Sequence, residues 1–149
     1  MSARLDRIDR AILETLSRDA RLSTTELARR VGLSKTPVQA RLRRLEEKGI
    51  IRGYSAIIDR ERTGEAHLAF VQVTLSDTRS AALQAFNRAA LEVPEIEQCH
   101  MIASGFDYLL KVRTKDISAY RRVLGEKIST LPHVSHTSTF VAMESVKDR

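Results

Sequence analysis

Between Ser23 and Gly49 the chain carries two helix starts and two helix stops, leaving room for only two short helices joined by a tight turn. Ser23-Thr24-Thr25-Glu26 has the form of a capping box, in which the Ser23 hydroxyl and the Glu26 carboxylate each take the other's free backbone N–H. The helix it opens has Leu27, Ala28 and Val31 on its inner face, and Gly32 stops it, tolerating a left-handed backbone at little cost. The next helix runs to about Lys48, with Val38, Leu42 and Leu45 as its apolar stripe, and Gly49 ends it. Its start has two readings. Ser34 can cap it, or Thr36 can, with Pro37 at the first helical position and Gln39 closing a second box. Ser34 is preferred, because it keeps the Gly32-Leu33 turn short. Upstream, Leu5, Ile8, Ile12, Leu13 and Leu16 recur at helical spacing and predict a longer amphipathic helix ending near Asp19-Ala20.

A long helix followed by two short ones across a glycine turn is a helix-turn-helix, whose later helix can lie in the DNA major groove. Lys35, Gln39 and Arg43 fall at i, i+4 and i+8 and share a face, with Thr36, Ala40 and Arg44 alongside. Arg can read guanine and Gln adenine through paired hydrogen bonds. Lys35, Arg41 and Arg44 suit phosphates equally well, which positions a protein without reading sequence. With Ser34 at the helix start, Ser34, Lys35, Thr36, Gln39, Arg41, Arg43 and Arg44 form the candidate DNA-binding set. If Thr36 is the cap instead, Gln39 is taken by the backbone. The charge supports this reading. Of 25 basic and 19 acidic residues, 14 basic and 8 acidic lie up to Arg60, and 11 of each follow, so the whole excess of +6 sits in the first part. The competing interpretation of the same segment is a small helical protein-interaction domain with a solvated basic surface.

From Ile50 to Asp59 the run Ile-Ile-Arg-Gly-Tyr-Ser-Ala-Ile-Ile-Asp is β-branched and aromatic and predicts a strand, either a wing or a connector. The polar stretch Asp59 to Glu65 then marks a boundary, giving domains at 1–60 and 61–149. Beyond it, Leu68 to Leu75 alternates as a strand with Ala69, Val71, Val73 and Leu75 on one face. Arg79 to Glu92 is helical through Leu83, Phe86 and Ala90. Glu95 to Ala103 and Asp107 to Arg113 form a hairpin about Ser104-Gly105. A helix follows over Ile117 to Leu131, with the stripe Ile117, Tyr120, Leu124, Ile128 and Leu131. Pro132 stops it, and Val134 to Met143 is a last strand. The order βαββαβ predicts an antiparallel, ferredoxin-like sheet with helices on one face, and the whole chain is of the α+β class.

The combination resembles the Lrp/AsnC family of bacterial and archaeal regulators. The likeness rests on Leu5-Asp6, Asp9, Ile12-Leu13 and Leu16, and on the stretch from Leu33 to Asp59, LSKTPVQARLRRLEEKGIIRGYSAIID. It continues through Gln98-Cys99-His100, SGFDYLLKVR from Ser104 to Arg113, and LPHVSHTSTFVAMESVK from Leu131 to Lys147. Within the family the chain is most similar to the leucine-responsive branch, which includes regulators of proline use. The resemblance implies a winged helix-turn-helix joined through a strand linker to a ligand-sensing βαββαβ domain. It also implies dimers that swap or pair strands, assembly into octamers that wrap double-stranded DNA, and a small amino-acid effector such as leucine or proline. Carried onto this chain, the effector positions are Ser104, Gly105, Phe106, Asp107 and Tyr108 in the loop, and Ser135 and Thr137 in the last strand. Gly105 would let a backbone N–H approach a carboxylate, and Asp107 would meet an α-ammonium. Leucine-responsive relatives commonly carry Gly and then an acidic residue before the aromatic; Ser104-Gly105-Phe106 keeps the loop length with one carboxylate fewer.

Other classes are disfavoured. One cysteine makes no internal disulfide, and successive residues such as Cys99 and His100 on a strand point to opposite faces, so no metal site is expected. His67, His133 and His136 lack partnering motifs, and Tyr120 reads as core. No phosphate loop, G-x-S-x-G elbow or H-E-x-x-H motif occurs, so neither an enzyme nor a cofactor is expected. The charged start Met1-Ser2-Ala3-Arg4 and the absence of a long apolar run predict no leader, no membrane span and a cytoplasmic home. An effector-independent, DNA-wrapping architectural protein is the alternative from a different class.

Overall fold

The computed structural model of the protein describes residues 4–148; Met1-Ser2-Ala3, on which the expectation of no leader partly rests, lie outside the described residues. Helix α1, Arg7–Arg18, opens on Asp6, whose carboxylate takes the Asp9 N–H at 2.8 Å while the Asp9 carboxylate takes the Asp6 N–H at 3.3 Å. Helix α2, Thr24–Val31, is capped by the Ser23 hydroxyl, which accepts from the Glu26 N–H at 3.1 Å. The reciprocal half of this expected capping box does not form. Arg29 and Arg30 claim the Glu26 carboxylate instead, holding its pKa at about 2. Gly32 ends α2 at φ 73°, the left-handed region where a side chain would be strained. Helix α3, Lys35–Glu47, starts after Ser34, whose hydroxyl makes no capping bond.

Ile12, Leu27, Ala28, Val38 and Leu45 bury their side chains together as the core of this first unit, with Leu42 packed partly against them. Burying a side chain of this size is worth roughly 1.5–3 kcal/mol. The expected strand over residues 50–59 does not form. The Ile50 and Ile51 N–H groups turn back onto the Leu45 carbonyl at 2.9 and 3.1 Å, and both side chains join the core. A β-branched run becomes a strand only where another strand supplies a ladder, and among the described residues none pairs with this one. Tyr54, Ile57 and Ile58 are left exposed, with the Tyr54 hydroxyl donating to Glu46 at 2.7 Å.

The second compact unit begins at Ile58, slightly ahead of the polar boundary at Arg60. Its strands are β1, His67–Leu75; β2, Ile96–Met101; β3, Tyr108–Thr114; and β4, Val134–Val141. They form one antiparallel sheet in the order β2-β3-β1-β4, so β1 and β3 are central. Ala69, Val71 and Val73 of β1 are fully buried with Leu110 and Val112 of β3. Phe86 and Ala90 of helix α4, Ser80–Leu91, and Tyr120 and Val123 of helix α5, Ile117–Val123, pack onto them. The last helix does not run in α form to Leu131. It continues from Leu124 to Ile128 as a π-helical turn, with the Ser129 N–H on the Leu124 carbonyl, a wider turn that still buries Ile128 and Leu131. Ile117, expected on the inner stripe, sits at the helix start and is exposed. On the helix-free face, Phe70 pairs in register with Phe140, and Lys111 and Arg113 are held by Glu97 and by Asp148 of the tail.

At its far end β1 is irregular: the register with β4 shifts between Thr74 and Leu75. The Leu75 N–H there donates to the Asp107 carboxylate at 2.7 Å, while the Asp107 N–H donates to the Val73 carbonyl at 2.9 Å. Two stability predictions follow from these bonds. Ser23→Ala should lower unfolding stability by about 1 kcal/mol, whereas Ser34→Ala, which loses no capping bond, should leave it nearly unchanged. Asp107→Ala should cost about 1.5–3 kcal/mol without any ligand, because it orphans a backbone donor and removes a charged acceptor. Urea titrations of the three variants check both.

Candidate nucleic-acid interface and effector site

Helix α3 has two polar flanks beside its buried stripe of Val38 and Leu45, and they differ in what occupies them. Lys35, Gln39 and Arg43 occupy one flank and are exposed, with Ser34, Thr36 and Ala40 also open to solvent. Among the described residues Arg43 alone of the three has an ion-pair partner, Glu47 at 2.7 Å; both side chains are mostly exposed, so the pair is cheap to open. The other flank faces α1. There the Arg44 guanidinium bonds both Asp9 oxygens at 2.7 Å, and Arg41 bonds Asp6 at 2.6 Å and Asp9 at 2.9 Å. Asp9 is buried, 1% exposed. Asp6 is held below the usual carboxylate range, first by the Asp9 backbone N–H and then by Arg41. Arg41 is pushed up in turn by Asp6 and Asp9.

The structure thus separates residues that the sequence pattern grouped as one DNA-binding set. Ser34, Lys35, Thr36, Gln39 and Arg43 lie on or beside the exposed face, Arg43 paired only within its own helix; Arg41 and Arg44 are tied to α1. The tie was not foreseen. Asp6 and Asp9 are spaced as a cap and its third helical residue, a visible signal, but their pairing across more than thirty residues has no local signature.

In the second unit the two proposed halves of the effector site come together at one end of the sheet. Val73 of β1 pairs with Tyr108 on one side and with Thr137 on the other. Around that row lie the loop from Ser104 to Asp107 and Ser135, whose hydroxyl donates to the Thr74 carbonyl at 3.0 Å. Ser104 and Gly105 are exposed, and Phe106 is half-buried. A Cβ added at Gly105 would meet nothing within 4 Å, so the space around it does not demand glycine in this conformation. Tyr108 is a core residue, packed on Phe86 at a centroid distance of 4.3 Å, with its hydroxyl on Asn87 Oδ1 at 2.6 Å. Burial pushes its phenol up. His133 precedes β4 with a left-handed φ of 65°, and its carbonyl accepts the Ser76 N–H at 2.7 Å, so local backbone strain borders the same region. Asn87, the partner of Tyr108, was missed by the sequence reading, because nothing in a helical stripe marks which polar residue meets a buried phenol.

Among the described residues no group of three or more His, Cys, Asp and Glu is placed to hold a metal ion, and no helix is long and apolar enough to cross a membrane. Cys99 has no disulfide partner.

Residues 5–52 match a winged helix-turn-helix DNA-binding domain, and residues 68–149 match the Lrp/AsnC ligand binding domain. A proline dehydrogenase transcriptional activator of Rhizobium radiobacter is 59% identical over 144 residues, covering 97% of this chain and 92% of that protein. The leucine-responsive regulatory protein of Escherichia coli K12 is 48% identical over 143 residues, covering 96% and 87%. Among solved structures, a transcriptional regulator of Neisseria meningitidis in complex with L-Met superposes with a TM-score of 0.89 at 28% identity, covering 97% of this chain and 94% of that one. An AsnC family regulator of Agrobacterium tumefaciens does so with a TM-score of 0.89 at 33% identity and the same coverage. The chain, with its DNA-binding and ligand-binding domains, belongs to the Lrp/AsnC family of transcriptional regulators.

Proposed function

We propose that this regulator reads double-stranded DNA with the exposed flank of α3 and answers to a small amino acid bound at the Val73 end of the sheet. The observation that carries the first part is the division of α3: a buried stripe docks the helix while Lys35, Gln39 and Arg43 stand exposed on its surface, Arg43 in a solvent-exposed pair with Glu47. Arg43 and Gln39 are the base readers in this proposal. Lys35, with the hydroxyls of Ser34 and Thr36 at the helix start, meets phosphate, where unpaired backbone N–H groups also favour an anion. Arg41 and Arg44 remain bound to the α1 carboxylates of Asp6 and Asp9, which offset their charge, and hold α3 in place beside the DNA.

The second part rests on the convergence of Ser104, Gly105, Phe106, Asp107 and Tyr108 with Ser135 and Thr137. Asp107 is the acceptor for an α-ammonium, the loop backbone the donor to a carboxylate, and Ser135 and Thr137 border the side chain. The Rhizobium relative is a proline dehydrogenase activator, the Escherichia relative is leucine-responsive, and the Neisseria structure holds L-Met, so proline, leucine and methionine are the first ligands to try. Tyr54, Ile57 and Ile58, exposed on a connector without a ladder, support a pairing of linker strands between two copies, with octamers built from such dimers. The cytoplasm is the proposed compartment, and control of amino-acid metabolism the proposed role.

Two experiments test the proposal. In a thermal-shift screen of the twenty amino acids, a ligand at 100 times its dissociation constant should add about 2.7 kcal/mol to the folded state. A shift confined to one or a few related amino acids supports the sensor; none from any of the twenty favours an effector-independent DNA-wrapping role. Arg43→Ala should weaken binding to a selected duplex by roughly 1–3 kcal/mol while sparing a scrambled one. Equal losses on both would move Arg43 from base to phosphate.

A further inference from the structure

We propose that Asp9, with Asp6, is a specificity-determining residue of the DNA-reading domain: an internal counter-ion that keeps Arg41 and Arg44 from phosphate and leaves recognition to the other flank of α3. The proposal rests on the reading of α3 as the DNA-contacting helix.

The two kinds of ion pair on α3 are built differently. Arg43–Glu47 lies within one helix turn with both side chains in water, at 80% and 62% exposure, and an arriving phosphate can displace it. The Asp9 carboxylate is 2% exposed, sits between two guanidiniums and has both oxygens occupied by Arg44. Asp6 adds a second carboxylate to Arg41. Pulling either arginine away would strip charge-assisted bonds from a buried carboxylate, which costs far more than opening a surface pair.

The arginines themselves are not buried to the same degree. The Arg44 side chain is 46% exposed and Arg41 27%, so neither is closed off from solvent, and each could swing toward phosphate if its carboxylate were lost. A phosphate contact strengthens binding to any sequence alike. Two arginines free to roam would therefore raise affinity for all DNA by the same factor. Two held by a carboxylate cannot, and the same bonds fix the roll of α3 against α1, which aims Gln39 and Arg43; the margin in favour of the proper site narrows when that aim is lost. Asp9 thus acts as a positioning residue that touches no base.

The opposite signs of these two effects make the proposal testable in the full-length protein. The probes are a duplex selected by the wild-type chain from a randomised pool and the same duplex scrambled, each titrated across a salt series. Asp9→Asn should tighten binding to the scrambled duplex and steepen the slope of log affinity against log salt by about 1–2, at about 0.9 for each phosphate newly engaged. The selected-to-scrambled affinity ratio should fall by about tenfold, out of a usual range of about 10³–10⁷. Adding Arg44→Ala to Asp9→Asn should reverse much of the gain on scrambled DNA. Glu14→Gln, which releases the exposed Arg18 from its pair on α1 without touching α3, controls for net charge and for a freed arginine elsewhere. If Asp9→Asn does not fold, Asp6→Asn replaces it: Asn caps a helix as well as Asp does, so only the charge opposite Arg41 is lost, and the slope should steepen by about 1.

A parallel loss of affinity for both duplexes, with an unchanged slope, would overturn the proposal and leave Asp9 a structural brace. So would a gain for Glu14→Gln equal to that of Asp9→Asn. Failure of the wild-type chain to select any duplex would overturn the DNA-reading assignment of α3 itself, a different result from either.

Discussion

Strand β1 is paired along both edges, and the second unit is organised around that constraint. A strand flanked on both sides has no freedom of register, because a slip of one residue would send Ala69, Val71 and Val73 to the helix-free face and bring Phe70 and Gln72 among the helices. With β1 fixed, β3 and β4 are placed by their ladders, and α4 and α5 are placed by the apolar rows they cover. The junction of Tyr108, Val73 and Thr137 is a result of this. Tyr108 and Thr137, 29 positions apart in the chain, share a row because each pairs with Val73 of the central strand. The loop at that end of the sheet can thus vary in chemistry while the scaffold beneath stays rigid.

The first unit depends on an electrostatic constraint in place of a ladder. Its core is small, five fully buried apolar residues with partial cover around them. Short helices packed on so small a core have few contacts to define their roll. The carboxylates of Asp6 and Asp9, joined to Arg41 and Arg44, add directional bonds to the packing of α3 on α1. Charge bonds do there what interlocking side chains do in a larger domain.

The sequence carried the elements well where a local pattern repeats. The alternation of β1, the Gly32 and Gly49 stops and the apolar stripe of α3 all appear in the structure where periodicity places them. Three features departed from the pattern, each because the deciding partner lies elsewhere. Ile50 to Asp59 has strand composition but no ladder to join. Glu26 had two arginines within reach and took them over the backbone of its own cap. The last helix widens into a π turn at Leu124, which keeps Ile128 in the core while the helix start at Ile117 projects outward. In the candidate sites, the exposed face of α3 was legible from spacing. The capture of Arg41 and Arg44, the bond from Tyr108 to Asn87 and the use of Asp107 by the backbone were not, since each is a contact across distant sequence.

The bond from Leu75 also bears on the site proposed at that end of the sheet. Where the β1–β4 register shifts at Thr74/Leu75, the Leu75 N–H takes Oδ2 of Asp107, and a carboxylate has a second oxygen to offer. The acceptor proposed for an amino-acid ammonium is thus oriented by the sheet before any ligand arrives. Less of a ligand's binding energy would then go into ordering the loop.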